Sequence, residues 1–481
     1  MLMVRKVTCR FAVLAVFLAA VASADGVDGG LGEVKVDFAA QRGEVNPRLH
    51  SSHFCPRYAA SSANVEKDVA ALSKLNLSAW RSHDAPLVAG GQRVVDTHFI
   101  FPLLHLDPKD PKNYFFKATD NLLAPVQEAC KMKVFYRLGT SIEHTSNKNA
   151  TNTLNPQDHV KYAEALAGIV RHYTRGWADG FNWDIEYWEL FNEPNIAPCW
   201  RGTRDEFIDL FVTCLKRLKG EFPELKIGGP ALAWLDEPFT RELLAACKKA
   251  GVAPDFLSWH WYGIDPEEPV RQTARAKELV AECGFPDVEL ILNEWHYLAE
   301  NNWDAVRGPR EAWLRTHTGP AAMNGVDSAA FTMTVEAKLQ DTALSQAFFY
   351  GCGFDWCDWG YFDAVKRCYF KPYYALQAMG ELVKCKTKVR ATSSERGVTP
   401  FAAVSADGRE AVVLVADYKS GLGSIDVVLE NSAGWRLKDV RVIDDKNDLA
   451  PVDAKLEGDR LKLIKNDRLS CCFVARFARQ P

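Results

Sequence analysis

Short apolar runs alternate with amphipathic stretches along most of this 481-residue chain. The apolar runs have the length and continuity of strands that are buried on both faces of a parallel sheet. They lie at 50–54, 79–81, 134–138, 187–191, 226–229, 256–259, 288–292 and 347–350. The amphipathic stretches carry apolar residues at helical spacing. They lie at 64–75, 121–131, 156–175, 204–222, 238–250, 269–283, 327–340 and 373–383.

Eight strand-then-helix units in succession predict a (β/α)8 TIM barrel of the α/β class. An open, doubly wound sheet is the competing arrangement. It is disfavoured because none of the strands is followed by the glycine-rich phosphate-binding motifs that are typical of such sheets. In a TIM barrel the chemistry lies at the C-terminal ends of the strands, so the residues that follow each apolar run are the candidates for function.

The pattern changes near residue 386. Short apolar segments separated by turns follow at 411–415, 425–429, 440–443, 461–464 and 472–475. This spacing predicts a small antiparallel β-sandwich over residues 386–481, beside a barrel domain over 25–385. A strand-like segment at 33–40 fits either domain, and its assignment to the sandwich would bring the two ends of the chain together.

The first 24 residues predict a signal peptide. Arg5, Lys6 and Arg10 flank the start of an apolar run at 11–21, and a small-residue cleavage site ends at Ala24. The run is too short to span a bilayer, and a short membrane anchor is the less favoured alternative. We therefore expect a secreted or periplasmic protein that is not membrane-bound after cleavage.

Charge and cysteine content bear on nucleic-acid binding, on disulfides and on metal sites. The chain has 58 basic and 62 acidic residues and no basic patch, so nucleic acid is not an expected partner. Thirteen cysteines in an exported chain allow disulfides, but their spacing leaves the pairing open. The paired C-x-x-C spacing of a structural zinc site is absent from the sequence. We expect neither a metal nor a cofactor.

Two glutamates carry the predicted chemistry. Glu193 follows the fourth apolar run in an Asn-Glu-Pro motif, and Glu294 follows the seventh in an Asn-Glu-Trp motif. Two carboxyls in one pocket are the equipment for cleaving a glycosidic bond. Glu193 is the predicted general acid/base, which needs a pKa raised by burial or by a negative neighbour. Glu294 is the predicted nucleophile, which must stay ionised. A helix cap is the alternative for Glu193 alone.

Other polar and aromatic side chains follow the predicted strands. Arg81 would supply a fixed charge and Tyr262 a hydroxyl to Glu294, and Asn192 would bind a sugar 2-hydroxyl. Histidines would bind further hydroxyls, tryptophans after strand eight would stack on sugar rings, and one tryptophan adjoins Glu294. These residues are His53, His83, His260, Trp295, Trp356 and Trp359. The alternatives are a salt bridge for Arg81, aromatic packing for Tyr262 and the tryptophans, and structural roles for the histidines.

Together these motifs resemble the clan of (β/α)8 retaining glycoside hydrolases, and within it glycoside hydrolase family 39, the β-xylosidase and α-L-iduronidase group. The resemblance covers residues 50–383. It implies hydrolysis of O-glycosidic bonds in oligo- or polysaccharides through a covalent glycosyl-enzyme, with net retention. The first strand departs from the family pattern, because His-Ser-Ser-His stands where Phe-Gly is frequent. The motifs are Trp80-Arg81-Ser82-His83, Trp188-Glu189-Leu190-Phe191-Asn192-Glu193-Pro194, His260-Trp261-Tyr262 and Asn293-Glu294-Trp295.

Several points stay open at the level of sequence. The sugar, exo or endo action and the oligomeric state are undetermined. A carbohydrate-binding barrel without turnover is the alternative function, and the sandwich is either a support for the barrel or a glycan-binding module. The long loop at 299–324 contains Trp303 and Trp313 and is a candidate lid or subsite wall.

Overall fold

A computed structural model of the chain describes residues 30–56, 62–83, 87–88, 92–142, 153–351, 362–363 and 367–479. The predicted signal peptide, residues 1–24, lies outside the described residues, as do Trp356 and Trp359. Among the described residues, no helix combines the length and the apolar character that crossing a membrane requires.

Eight parallel strands close into a barrel in which each strand pairs with its neighbours in the sequence. The barrel strands, numbered one to eight in chain order, are Ser51–Ser52, Ala79–Arg81, Lys133–Leu138, Tyr187–Leu190, Lys226–Leu232, Phe256–Gly263, Glu289–Tyr297 and Gln346–Phe349. The closed barrel confirms the TIM-barrel prediction. Strands six and seven run past their apolar cores, to Gly263 and Tyr297, and the added residues are polar and aromatic.

Helices connect these strands and pack around them. They are Ser62–Leu75, Lys117–Ala124 with Pro125–Cys130, His159–Arg175, Arg204–Glu221, Glu237–Lys249, Glu268–Glu282, Val326–Leu339 and Lys371–Val383. Local signals set their ends, because Thr203 and Glu206 form a capping box and Gly176 adopts a left-handed C-cap. Shorter segments in the loops are the helices Pro47–Leu49, Thr97–Ile100, Pro111–Asn113, Ala299–Asn301, Trp303–Arg307 and Arg310–His317, and the strand pairs Leu87–Val88 with Gln92–Arg93 and Phe362–Asp363 with Cys368–Tyr369.

The remaining strands form one ten-stranded sheet. In spatial order they are Asp448–Val452, Trp435–Ile443, Cys471–Arg479, Glu410–Asp417, Val398–Val404, Thr387–Ser393, Leu31–Glu44, Ser424–Glu430, Arg460–Ile464 and Leu456–Glu457. Neighbouring strands are antiparallel except for the parallel pair Leu31–Glu44 and Ser424–Glu430. The segment at 33–40 therefore lies in this sheet and not in the barrel.

This sheet folds over on itself. Phe38 and Trp435 lie on strands that are five places apart in the sheet, yet their ring centroids are 4.9 Å apart. In a flat sheet, strands five places apart would be separated by roughly 24 Å. The two halves therefore face each other around a shared apolar core, which includes Val36, Val413 and Phe473. This arrangement agrees with the predicted β-sandwich.

The sandwich packs against the outside of the barrel. Apolar residues of the strand Glu410–Asp417 belong to the same core as the barrel helices. Arg441 is paired at 2.6 Å with Glu381 of the last barrel helix. The hydroxyl of Tyr418 donates to the carbonyl of Ile264 at 2.9 Å, directly after strand six. The sandwich thus supports the end of a strand that carries predicted site residues.

Candidate active site

The barrel interior changes character along its axis. Near the N-terminal ends of the strands, six apolar side chains form one buried layer: Ala79, Phe135, Tyr187, Phe256, Ile291 and Phe348. Residues two positions apart on a strand face the same side. The next inward positions are polar, and they include Arg81, Glu189, Ser258 and Asn293. The apolar layer is therefore the floor on which the polar residues of the site stand.

A tight turn after strand four places Glu193. Phe191 and Glu193 have left-handed backbone conformations, with φ of +70° and +47°, which are uncommon for residues with a Cβ. The amide of Glu193 donates to the carbonyl of Ala231 on strand five at 2.8 Å. This bond holds the turn in its uncommon conformation, as is typical of residues that are positioned for function.

A β-bulge in strand seven places Glu294. The register with strand six shifts between Leu292 and Glu294, and bulges of this kind re-aim side chains beside active sites. Asn293 and Glu294 both point into the upper barrel as a result. The side-chain amide of Asn293 donates to Glu189 at 2.6 Å, and Glu294 lines a cavity above it.

His260 lies between the two glutamates. Its Nδ1 is 2.9 Å from Oε1 of Glu193, and its Nε2 is 3.4 Å from Oε2 of Glu294. One oxygen of each glutamate and a nitrogen of the fully buried imidazole all lie within 4.8 Å of one another. Strands four, six and seven thus bring the two predicted carboxyls together on either side of one ring.

A buried charge network holds Glu294 from below. Arg81 donates through Nε to Glu189 at 2.7 Å and through Nη1 to Glu294 at 3.1 Å. Its Nη2 donates to Oδ1 of Asn192 at 2.9 Å. Arg81 and Glu189 are fully buried, and charges are tolerated at such depth only when they are paired and hydrogen-bonded. One guanidinium therefore orients Glu294 and the residue that precedes Glu193.

The pKa of Glu294 is raised to about 7, first by burial and further by the negative charge of Glu193. His260, Arg81 and the hydroxyl of Tyr262 act in the opposite direction. Tyr262 donates a short hydrogen bond to Oε1 of Glu294, in the geometry expected from the sequence. Burial outweighs these donors, so Glu294 ionises less readily than an exposed glutamate.

A cavity of about 500 Å³ lies above the two glutamates. Trp234 and Trp303, which are 48% and 36% exposed, form part of its wall. Exposed indole faces at a polar cavity suit stacking against the C–H face of a sugar ring. Its described wall also includes His83, Ile142, Asn192, Glu193, Ile196, Pro198, Ala233, His260, Trp261, Tyr262, Glu294, Arg307 and Tyr350.

Most of the residues predicted for the site converge on this cavity. His83, Asn192, His260 and Tyr262 line it together with both glutamates, and Arg81 lies directly beneath it. The Nε2 atom of His83 is 3.7 Å from Oε2 of Glu294. Trp356 and Trp359 lie outside the described residues.

Two predicted residues lie elsewhere. His53 is fully buried with its Nε2 2.8 Å from the carbonyl of Asn293, so it supports the bulge instead of reaching a sugar. Trp295 is fully buried outside the barrel, with its ring 5.2 Å from that of Phe349. Consecutive residues of a strand point to opposite faces, so Trp295 faces the helices when Glu294 faces the cavity. The prediction of a substrate contact is corrected for Trp295, while that for His53, whose ring lies beside those of His83 and Tyr350, stays a prediction.

Several residues of the site were given no role from the sequence, including Trp234 in the cavity wall. Glu189 had a visible signal, because it is a charged residue inside the apolar strand Tyr187–Leu190. Asn293 was visible only as the residue before Glu294. Cys199, whose thiol donates to Oε2 of Glu193 at 3.3 Å, lies in an irregular loop without a local signal. Arg307 lines the cavity from the end of the short helix Trp303–Arg307, in the connection after strand seven.

Glu193, His260 and Glu294 are also of the residue types that bind metal ions, and they lie close enough together to hold one. However, both oxygens of Glu294 already accept hydrogen bonds, one from Arg81 and the other from Tyr262. A metal bound at this point would have to displace a buried guanidinium, which fits the site poorly.

Solved structures share this architecture. A glucosidase from Croceicoccus marinus is 20% identical and superposes with a TM-score of 0.74, covering 94% of this chain and 99% of that one. A family 51 α-L-arabinofuranosidase from Thermotoga petrophila is 12% identical, with a TM-score of 0.65 and coverage of 92% and 99%. At these identities the likeness shows the fold alone.

Relatives in sequence are more specific. A β-xylosidase from Geobacillus stearothermophilus is 24% identical over 166 residues, which cover 30% of this chain and 32% of that enzyme. A β-xylosidase from Caldicellulosiruptor saccharolyticus is 32% identical over 117 residues, which cover 24% of this chain and 23% of that enzyme. The chain thus spans about a third or less of the length of these relatives. The family model described as Glycosyl hydrolases family 39 matches residues 32–295, more than half of the sequence, and this chain belongs to that family.

Proposed function

We propose that this protein is an exported, retaining glycoside hydrolase that cleaves O-glycosidic bonds of oligo- or polysaccharides. Glu193 is the general acid/base and Glu294 is the nucleophile. The observation that carries the proposal is the pair of carboxyls at one cavity, with one oxygen of Glu193 within 4.8 Å of one oxygen of Glu294. Retaining enzymes hold their carboxyls roughly 5–5.5 Å apart and inverting enzymes roughly 6.5–9.5 Å, so this spacing supports retention.

The reaction has two displacements. In the first, a carboxylate oxygen of Glu294 attacks the anomeric carbon while Glu193 gives its proton to the departing glycosidic oxygen. An ester bond to Glu294 forms as the glycosidic bond breaks. In the second, Glu193 takes a proton from water, the water oxygen attacks the same carbon, and Glu294 departs as a carboxylate. Two inversions at one carbon restore the original configuration.

The neighbouring side chains have matching roles. Arg81 and Tyr262 donate to Glu294, so they favour its charged form before attack and again when it departs. Arg81 also donates to Oδ1 of Asn192. One amide hydrogen of Asn192 is donated to the carbonyl of Ser141 at 3.4 Å. The other amide hydrogen is then available for a sugar 2-hydroxyl, a contact that strengthens in the transition state.

The sugar is the part of the proposal that rests on relatives alone. Both curated relatives are β-xylosidases, so β-D-xylosides are the first substrates to test. The solved neighbours include a glucosidase and an α-L-arabinofuranosidase, so a panel must contain hexosides and both anomers of pentosides. Uronides belong in the panel because the cavity wall includes Arg307.

The decisive experiment follows aryl glycosides of this panel by absorbance and identifies the first product by proton NMR. Wild type is expected to turn over one glycone and to release the anomer with the configuration of the substrate. Release of the opposite anomer would overturn retention, and turnover by Glu294→Ala equal to wild type would overturn the assignment of the nucleophile. Binding of oligosaccharides without any hydrolysis would favour a binding-only barrel.

Azide distinguishes the two glutamates. With an activated aryl leaving group, Glu193→Ala still forms the glycosyl-enzyme, and azide should release it as a glycosyl azide of retained configuration. In Glu294→Ala, azide fills the space of the lost carboxylate and attacks directly, which should give the inverted azide. The reverse pattern would exchange the two roles.

Export is part of the same proposal. Arg5, Lys6 and the apolar run at 11–21 support cleavage after Ala24 by a signal peptidase. Expression of the full chain in a bacterial host, followed by N-terminal sequencing of the periplasmic or medium fraction, should give a product that begins at Asp25. A full-length product retained in the membrane fraction would favour an anchor instead.

A further inference from the structure

We propose that Arg307, stacked on Trp303 at the edge of the catalytic cavity, forms a subsite for a carboxylate or sulfate group of the glycan. This inference rests on the proposed function and adds the substrate class. The enzyme would then act on an acidic oligosaccharide, with the charged sugar held at the cavity rim beside the bond that is cleaved.

Arg307 is linked to the catalytic centre through two aromatic rings. Its guanidinium carbon lies 4.4 Å from the centre of the Trp303 ring. Trp303 makes an edge-on contact with Tyr262 at 4.8 Å, and Tyr262 donates to Glu294. All four side chains line the same cavity. The arginine is therefore part of the wall of the site and not a distant surface charge.

The guanidinium keeps its hydrogen-bonding capacity. Among the described residues, no carboxylate lies within ion-pair distance of Arg307, and its described contact is with the face of Trp303. The nearby Glu300 is bonded instead to Arg315 at 3.0 Å. A guanidinium on an aromatic face keeps its N–H groups directed outward in its own plane, where they match two oxygens of a carboxylate or sulfate.

Charge inside the cavity explains why an anion would bind at the rim. The positive charge of Arg81 is balanced at depth by Glu189 and Glu294. A substrate anion beside the two catalytic glutamates would therefore meet like charge. The whole chain is also acidic, with a net charge of −4, so it offers no general attraction to anions. Arg307 adds a positive charge to the wall of the same cavity, where the described residues hold no carboxylate paired with it.

The chemistry of the pair suits a charged sugar better than a free anion. Trp303 is 36% exposed and offers an apolar face to the C–H groups of a pyranose. Arg307 offers the complementary charge beside the same ring. Together they would recognise a ring and its anionic substituent in one contact.

The test measures binding by titration calorimetry in a Glu294→Gln background, which prevents turnover. The probes are acidic oligosaccharides from glucuronoxylan and from pectate, each compared with the same oligosaccharide after its carboxylates are reduced to alcohols. A sulfated galactan oligosaccharide and its desulfated form make the second arm. At least one charged form should bind about tenfold more tightly than its neutral partner at low salt.

Substitution of the arginine tests the assignment. Arg307→Gln should reduce that ratio to about one, and Arg307→Lys should leave a smaller preference, because the point charge remains without the planar fork. Arg310→Gln is the matched control, since this exposed arginine of the next helix is not among the described residues of the cavity wall. The preference should also shrink in 0.5 M salt through screening.

Two outcomes would overturn the inference. One is equal binding of every charged and neutral pair, and the other is a charge preference that Arg307→Gln leaves unchanged. These outcomes are separate from the fate of the proposed function. Wild type that hydrolyses glycosides without any charge preference overturns only the subsite, whereas arginine-dependent binding without hydrolysis by wild type overturns only the activity.

Discussion

The two ends of the barrel interior are built from the same strands, yet they hold opposite kinds of side chain. At the N-terminal end, the rings of Phe135, Tyr187 and Phe256 pack with centroids 5.4 to 5.8 Å apart. At the C-terminal end, Arg81 and Glu189 form buried charge-assisted hydrogen bonds as short as 2.6 Å. Along a strand, a residue of the lower layer and the next residue of the upper layer are only two positions apart, as Tyr187 and Glu189 are.

This difference shows how one scaffold divides stability from chemistry. The lower layer gains free energy simply by removing apolar area from water. The upper layer buries charges whose desolvation offsets much of their mutual attraction, so its net contribution to stability is small or unfavourable. We therefore expect substitutions in the lower layer to change stability alone, and substitutions in the upper layer to change activity and pH dependence.

The largest expected effect comes from Glu294→Gln. Loss of the nucleophile should reduce kcat by about 10⁴-fold or more, while the neutral isostere preserves the shape of the site. Stopped assays on the best substrate of the panel would measure this loss. A decrease of less than about tenfold would show that Glu294 does not form the intermediate.

The same variant should be more stable than wild type in alkaline solution. The pKa of Glu294 is raised to about 7 in the folded protein, so the ionised carboxylate disfavours folding once the pH exceeds the value for the unfolded chain. The resulting decrease in the free energy of unfolding of wild type grows as the pH rises. It is complete above pH 7, where it amounts to about 3 kcal/mol. Urea unfolding at pH 8 should give the variant a higher free energy of unfolding than wild type. This difference should disappear near pH 4.5. An equal advantage at both values would contradict the linkage.

In the lower layer, Phe135→Ala should lower the free energy of unfolding by about 3–5 kcal/mol, because it removes a ring at the centre of the apolar layer. Phe135 contacts Phe348 with ring centroids 4.9 Å apart and is almost fully buried. The pH dependence of the remaining activity should match wild type. A shifted pH profile would show that the two layers are coupled and would break the comparison.

Glu189→Gln tests the upper layer without removing a catalytic group. It leaves the buried charge of Arg81 balanced by one carboxylate fewer, so we expect a loss of about 3 kcal/mol in unfolding free energy. With one negative charge removed, ionisation of Glu294 becomes easier and its pKa should fall. The acidic limb of kcat/KM would then move to lower pH, unlike the result for Phe135→Ala.

The position of that limb in wild type is itself a prediction. Glu294 must be ionised to attack, and its pKa is raised to about 7 by burial. The value of kcat/KM should therefore fall about tenfold per pH unit below pH 7, rather than only below about pH 4.5 as for an exposed glutamate. A profile that stays flat down to pH 5 would place the raised pKa elsewhere.

The strength of the sequence prediction differs between local and non-local features. The eight barrel strands and their helices were predictable because burial imposes a period on each element separately. Four sandwich strands were missed, namely Thr387–Ser393, Val398–Val404, Asp448–Val452 and the two-residue strand Leu456–Glu457. Val398–Val404 and Asp448–Val452 each contain a proline, which is uncommon inside a strand. Thr387–Ser393 mixes buried, half-buried and exposed residues without a regular alternation.

The site shows the same contrast. The strand-end motifs around Glu193 and Glu294 were predictable because TIM barrels gather such residues at one face. The bulge that turns Glu294 inward and Trp295 outward was not, since it depends on the register between two strands. The contact of Arg307 with Trp303 joins residues four apart in the short helix Trp303–Arg307, but nothing in the sequence shows that this helix borders the cavity.

The smallest expected effect is that of Cys199→Ala, and it sharpens the comparison between the two glutamates. The thiol donates to Oε2 of Glu193 at 3.3 Å, while His260 holds Oε1 at 2.9 Å. Loss of a weak donor should disfavour the ionised carboxylate slightly and move the alkaline limb of kcat/KM to higher pH, with a two- to threefold change in rate. Cys199→Ser supplies a stronger donor and should leave the limb unchanged or move it down. Equal shifts in both variants would mean that packing, and not the hydrogen bond, sets the position of Glu193. A response confined to the alkaline limb would show that the acid/base, held by a loop, is tuned independently of the nucleophile, which is fixed by the buried barrel network.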